Sequence, residues 1–177
     1  LGVMEKEAKG TDKPLLYGSA DIAAALARWQ TVECRAPFPL HNYGATINFR
    51  DAGHILGSTM FEIVRADRRL LFTGDLGNSP SPLLHDTEVV RGVNYLVMES
   101  VYGDRQHEAQ ATRRDRPEDV IENTMRRDGV LLIPAFSIER TQELLYELEH
   151  MTAEGRIPPV PIYLDSPLAI KVTEIYK

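Results

Sequence analysis

Two glycine-bearing turns constrain this chain more than any other feature. D-A-G-H-I-L-G-S at residues 51–58 and F-T-G-D-L-G at residues 72–77 each set one potential metal ligand, His54 or Asp75, beside an apolar run. The two are 75 − 54 = 21 residues apart, room for a strand to go out and another to come back. Gly53 and Gly57 flank the histidine, and Gly74 and Gly77 flank the aspartate. Glycines there let the backbone turn sharply at a strand end and approach a ligand closely. An imidazole offers a neutral nitrogen; a carboxylate offers negative charge and can bridge two ions. Singly, each has an ordinary explanation: one structural histidine among five, and an aspartate in a turn. Two ligands also fall short of the three that a catalytic zinc takes from protein. The chain is expected to hold half of an active site.

The apolar pattern around these turns predicts strands at 45–49, 59–64, 69–72 and 94–98, with the polar turn 65–68 joining the second and third. Glu99 closes the apolar run Tyr95–Met98, so a third strand end delivers a polar residue. A carboxylate there can hold a ligand or donate a proton; its ordinary reading is a satisfied polar terminus. Ser19-Ala20-Asp21 can cap a helix running through Ile22, Ala25, Leu26 and Trp29. After Tyr102 the pattern alternates. Pro117 is expected to open a helix, 130–133 to form a buried strand, 138–151 an amphipathic helix, 160–164 a further strand, and Pro167 to start a last helix. Such alternation suggests a parallel sheet. Residues 103–116 read as a mobile connection, and residues 1–13 as the polar tail of a helix. His41, His85, His107 and His150 lack a partner motif and read as structural or solvent-exposed.

Charge and cysteine content narrow the surroundings. The balance of 20 basic and 26 acidic residues gives −6, which argues against gripping nucleic acid by bulk charge but leaves room for a local basic cleft. Cys34 is alone, so an intrachain disulfide is impossible and a reducing, cytoplasmic setting fits best. No apolar run approaches membrane-spanning length, and no membrane partner is expected.

Taken in order, these motifs resemble the metallo-β-lactamase superfamily, and within it the β-CASP branch of RNA- and DNA-processing nucleases. Residues 51–58 are similar to that family's third motif and 72–77 to its fourth. Glu99–Arg105, E-S-V-Y-G-D-R, is similar to the first β-CASP motif, with Val101 in place of the usual threonine. The stretches 134–145 and 161–169 are similar to the family as well. The resemblance implies an α/β fold: part of an αββα core over residues 1–105, then the start of an α/β β-CASP domain over 106–177. It implies His54 as a zinc ligand, Asp75 as the carboxylate bridging two zinc ions, and Glu99 as the acid that works with a later histidine. The family's H-x-H-x-D-H signature is absent. It is expected upstream of Leu1, and the later histidine motifs downstream of Lys177, so the chain reads as an internal fragment that is inactive by itself.

For the complete protein the implied function is a zinc-dependent phosphodiester hydrolase acting on RNA, with DNA the other substrate the family uses. A small-substrate metallo-hydrolase and a non-catalytic scaffold are the competing readings. Ser137 and Arg140, where a strand end is expected to meet the next helix, are candidate phosphate contacts, as are Ser166 and Lys171 after the following strand. Capped helices with exposed polar residues explain them equally well. Oligomeric state is not legible in the sequence.

Overall fold

Five consecutive β-rich segments between residues 38 and 97 form one mixed sheet in a computed structural model of the protein, which describes residues 16–105 and 110–177. The polar start, 1–13, and His107 lie outside the described residues. The chain falls into two compact units, Leu1–Glu33 and Cys34–Lys177. In the first, helix α1 spans Ser19–Leu26. The Asp21 carboxylate accepts the Gly18 N–H at 2.8 Å, so an acidic side chain serves the free amides of the first turn. The helix ends three residues short of Trp29. There Arg28 and Trp29 donate to Ala25 and Leu26 at 3.0 and 3.1 Å, the tighter i→i+3 spacing that closes a helix.

In the second unit the strands are β1 (Phe38–Leu40), β2 (Ala45–Asp51), β3 (Thr59–Arg65), β4 (Arg68–Phe72) and β5 (Tyr95–Val97). They lie in sequence order. The first three pairings are antiparallel and the last, β4 with β5, is parallel. Four of the five match the expected strands to within two residues; β1 was not expected. Ala66, at φ 50°, turns the β3–β4 hairpin where the polar run 65–68 predicts it.

Residues directly opposite across a ladder share a face. The rows Phe49–Phe61–Phe72–Val97 and Phe38–Ile47–Ile63–Leu70–Tyr95 therefore make one face almost wholly apolar. Phe49 and Phe61 meet edge to face with ring centroids 5.3 Å apart. Phe61, Phe72, Tyr95 and Val97 are nonetheless exposed. The other face carries Met60 and Leu71, which bury with Ala52 against Leu76, Val90 and Val93 of the 76–93 segment.

That covered face also holds Glu62, only 1% exposed. Its carboxylate accepts from Asn48 Nδ2 at 3.1 Å, Arg50 Nη2 at 3.0 Å and Arg69 Nη1 at 3.5 Å. A buried carboxylate is tolerable only with such partners. The ladder explains how they gather: Asn48 lies directly opposite Glu62, and Arg50 and Arg69 are two residues along the neighbouring strands on the same face.

Beyond the sheet are α2 (Gln110–Arg126), α3 (Arg140–Ala153) and α4 (Pro167–Thr173). Ile121, Leu148, Met151 and Ile157 form a second core with Leu144 against it, and Arg156 Nη2 meets Glu118 Oε2 at 2.6 Å. Pro167 opens α4 as expected, with the Ser166 hydroxyl accepting the Ala169 N–H at 3.2 Å. Two expectations fail here. Pro117 lies inside α2 rather than at its start, because good helix formers at 110–116 carry the helix past a residue that can supply no N–H. The connection expected over 103–116 is correspondingly shortened. Residues 130–133 and 160–164 form no strand. An apolar run becomes a strand only when a neighbour takes its N–H and C=O groups, and among the described residues none does.

Replacing Glu62 tests the sheet. Arg50 and Arg69 are partly exposed and can turn to water, so Glu62→Ala loses chiefly its hydrogen bonds and lowers stability by about 1–3 kcal/mol. The midpoint of urea unfolding, followed by circular dichroism, reads this directly.

Candidate metal centre

Three strand ends converge beside the sheet. β2 runs into the turn 52–58, β4 into 73–77, and β5 into Met98-Glu99. The first turn is closed by Ala52 N donating to the Ser58 carbonyl at 3.1 Å. The Ser58 hydroxyl accepts the His54 and Ile55 amides at 3.0 and 3.1 Å. Gly53 sits at φ 65°, and a Cβ there would lie 3.0 Å from the His85 carbonyl and the Thr87 amide.

The second turn is pressed against the first. Gly77 N donates to the Ala52 carbonyl at 2.9 Å. A Cβ on Gly77 would fall 1.6 Å from the Gly53 carbonyl oxygen and 2.8 Å from His54 N. No side chain fits there without moving one backbone off the other. The third strand end joins through Thr73. Its amide donates to the Val97 carbonyl at 3.0 Å, and its hydroxyl accepts the Glu99 amide at 3.2 Å. The Glu99 carboxylate in turn accepts the Leu76 N–H.

These backbone contacts bring together the three residues singled out from the sequence. His54 Nε2 and Asp75 Oδ2 are 3.9 Å apart, with Asp75 the more exposed. Glu99 is tied to the residue next to Asp75. The donor pair suits a metal: two ligands of one zinc stand roughly 3.3–3.6 Å apart when each bond is about 2.0–2.2 Å, so a small side-chain rotation suffices. It is a pair and no more. Among the described residues no group of three His, Cys, Asp or Glu side chains could hold an ion.

The four candidate phosphate contacts separate. Ser137 and Ser166 hydroxyls face each other at 3.3 Å, although Ser166 also caps α4. Arg140 is engaged with Glu143 at 2.6 Å on the first turn of α3. Lys171 is exposed on α4.

A supporting ion network was not legible in the sequence. Arg35, itself at φ 65°, meets Asp51 at 2.5 Å and Glu88 at 3.3 Å. Glu88 also accepts the Asp51 amide at 3.3 Å and lies 3.5 Å from Arg50. The Asp51 hydrogen bond and charge, with Glu88 behind, hold the Arg35 guanidinium above its usual pKa. This network braces the end of β2, where the His54 turn begins. Its members lie 16 and 53 residues from Arg35, and no local pattern links them. The Gly77 contact did have a signal, the second glycine of G-D-L-G.

Comparison with known proteins addresses the family. Residues 141–177 match the Beta-Casp domain. The chain is 35% identical over 98% of its length to Ribonuclease TTHA0252 of Thermus thermophilus, covering 39% of that protein. It is 34% identical over 94% of its length to cleavage and polyadenylation specificity factor subunit 3 of Dictyostelium discoideum, and 33% identical over 92% to endoribonuclease ysh1 of Schizosaccharomyces pombe. It covers 21% of each of these two. This chain belongs to the β-CASP family of metallo-β-lactamase-type proteins. It spans about two-fifths of the length of the Thermus relative and about one-fifth of the other two.

Two glycines in the same turn distinguish backbone conformation from close approach. Gly74, at φ 56°, has open space around its missing Cβ, so Gly74→Ala should cost only the left-handed penalty, about 1–2 kcal/mol. Gly77→Ala should cost about 3 kcal/mol and shift the His54 imidazole resonances in a proton–nitrogen correlation spectrum, which Gly74→Ala should leave closer to the parent.

Proposed function

We propose that the longer protein to which this sequence belongs is a zinc-dependent nuclease that hydrolyses phosphodiester bonds in RNA. The observation that carries this reading is the convergence of His54, Asp75 and Glu99 at one edge of the sheet, in a chain whose relatives are named as ribonucleases. Family membership supports metal dependence. The chemistry of the donor pair, one nitrogen and one carboxylate, supports zinc. The reading divides the chain near residue 105, into part of a metallo-hydrolase core and the start of the β-CASP domain, with substrate lying between the two.

Each residue has a physical task in this reading. His54 would supply a neutral nitrogen ligand, and Asp75 a negatively charged oxygen ligand beside it. When bound, zinc neutralises charge on the phosphate and makes water more acidic. Glu99, its carboxylate held by the Leu76 amide, works with a histidine from elsewhere in the protein to protonate the leaving oxygen. Ser137 and Ser166, with hydroxyls 3.3 Å apart, donate to a phosphate. Arg140 and Lys171 add positive charge, Arg140 by exchanging Glu143 for the nucleic-acid backbone. The single exposed thiol, Cys34, suits a reducing, cytoplasmic compartment.

The full-length protein separates ligand from acid. Asp75→Ala should lower bound zinc, measured by plasma emission, and abolish cleavage of a labelled single-stranded RNA. Glu99→Gln should retain zinc while slowing cleavage by about 10²–10⁴-fold. Full activity in Asp75→Ala, or cleavage that survives exhaustive chelation, would sink the proposal. The 177-residue chain alone, with two ligands, should retain no stoichiometric zinc after dialysis and cleave no RNA.

A further inference from the structure

Among the described residues, Glu139 combines three anomalies. It is 2% exposed, its Oε1 is buried without a hydrogen bond, and its backbone lies at φ 66°, ψ −61°. With Arg140 N donating to the Ile138 carbonyl at 2.9 Å, this is a γ-turn of the rare positive-φ hand, which strains any residue bearing a Cβ. Strain of this kind persists only where the surroundings enforce it, and it concentrates at functional positions. The enforcement here is visible. Thr141 Oγ1 donates to the Phe136 carbonyl at 2.7 Å, and Gln142 Nε2 donates to the Ser137 carbonyl at 3.2 Å and to Thr173 Oγ1 at 3.0 Å.

The strained turn aims the Glu139 carboxylate at Tyr176, whose hydroxyl donates to Oε2 at 2.5 Å. The same hydroxyl accepts the Leu56 N–H at 3.4 Å. Leu56 lies in the 52–58 turn, two residues after His54. Burial, followed by the bond to Glu139, pushes the Tyr176 hydroxyl up to about 12, so it stays a donor throughout the neutral range. On another side of the turn lies a cavity of ≈ 320 Å³ lined by Gly53, Ile55, Leu56 and the segment 82–85.

The structure assigns Glu139 and Tyr176 a positioning role: they form a latch that holds the His54 turn at Leu56 and couples it to the 137–140 turn. Neither residue touches the reacting atoms. The latch rests on the proposed function for its purpose, since it links the metal-ligand turn to the candidate phosphate-binding turn. Its existence rests on geometry alone.

Amide hydrogen exchange on the full-length, zinc-loaded protein tests it without reference to catalysis. Tyr176→Phe keeps the ring and removes the hydroxyl; exchange at Leu56 should rise about tenfold, with the β2–β4 amides unchanged. Glu139→Gly removes the anchor while relieving the φ strain, and should also raise exchange at Leu56. Glu139→Gln keeps an acceptor for the tyrosine and should restore protection. A Leu56 rate within twofold of the parent in Tyr176→Phe would overturn the latch, as would an equal rise throughout the sheet, or loss of protection in Glu139→Gln as large as in Glu139→Gly. Should the parent protein cleave no RNA, the nuclease reading fails while the exchange rates still decide the latch.

Discussion

Everything notable about the candidate site depends on one backbone contact. Gly77 lies so close to Gly53 that the two turns behave as one piece, joined by the hydrogen bond from Gly77 to Ala52. Neither His54 nor Asp75 is held by the other; their 3.9 Å separation follows from two polypeptide segments in van der Waals contact. Side chains can rotate, but packed backbones have almost no freedom to do so. Preorganisation of this kind is what a metal or an anionic substrate requires of a site, because the cost of bringing its groups together is met on folding.

The sheet was legible because its signals are local. Apolar runs at 45–49, 59–64, 69–72 and 94–98 are separated by glycine or polar turns, and each became a strand. His54, Asp75 and Glu99 were legible for the same reason: each follows such a run directly. Signals that depend on a distant partner were lost. Residues 130–133 and 160–164 have strand composition but no neighbouring ladder among the described residues. β1 is only three residues long and is defined by its pairing to β2. Pro117 reads as a helix start because proline favours a first turn, whereas the residues ahead of it are strong enough helix formers to carry α2 through. The Arg35–Asp51–Glu88 network and the Glu139–Tyr176–Leu56 latch are tertiary in origin, and no spacing rule points to them.

Two charged groupings illustrate opposite uses of ionic side chains. Glu62 is sealed against the sheet among Asn48, Arg50 and Arg69, where it fixes register and contributes no reactive surface. Asp104 and Arg105, next to each other in E-S-V-Y-G-D-R, pair in a fully exposed setting at 2.8 and 3.0 Å. The hydrogen bond from Arg105 holds the Asp104 carboxyl below its usual range. An exposed pair of this kind contributes little stability and is free to exchange partners with an incoming charged ligand.

The parallel pairing of β4 and β5 has a geometric corollary. Because the two strands run the same way, the chain leaves both at the same edge. The origins of the 73–77 turn and of Glu99 are thus set by the spacing between neighbouring strands, about 4.8 Å, which no side-chain substitution alters. The sheet acts as a ruler for two carboxylates 24 residues apart in the chain (99 − 75). The chain between them sets neither origin directly, since both follow from the pairing of the strands. Distance at the site and length of the intervening chain are thereby independent variables.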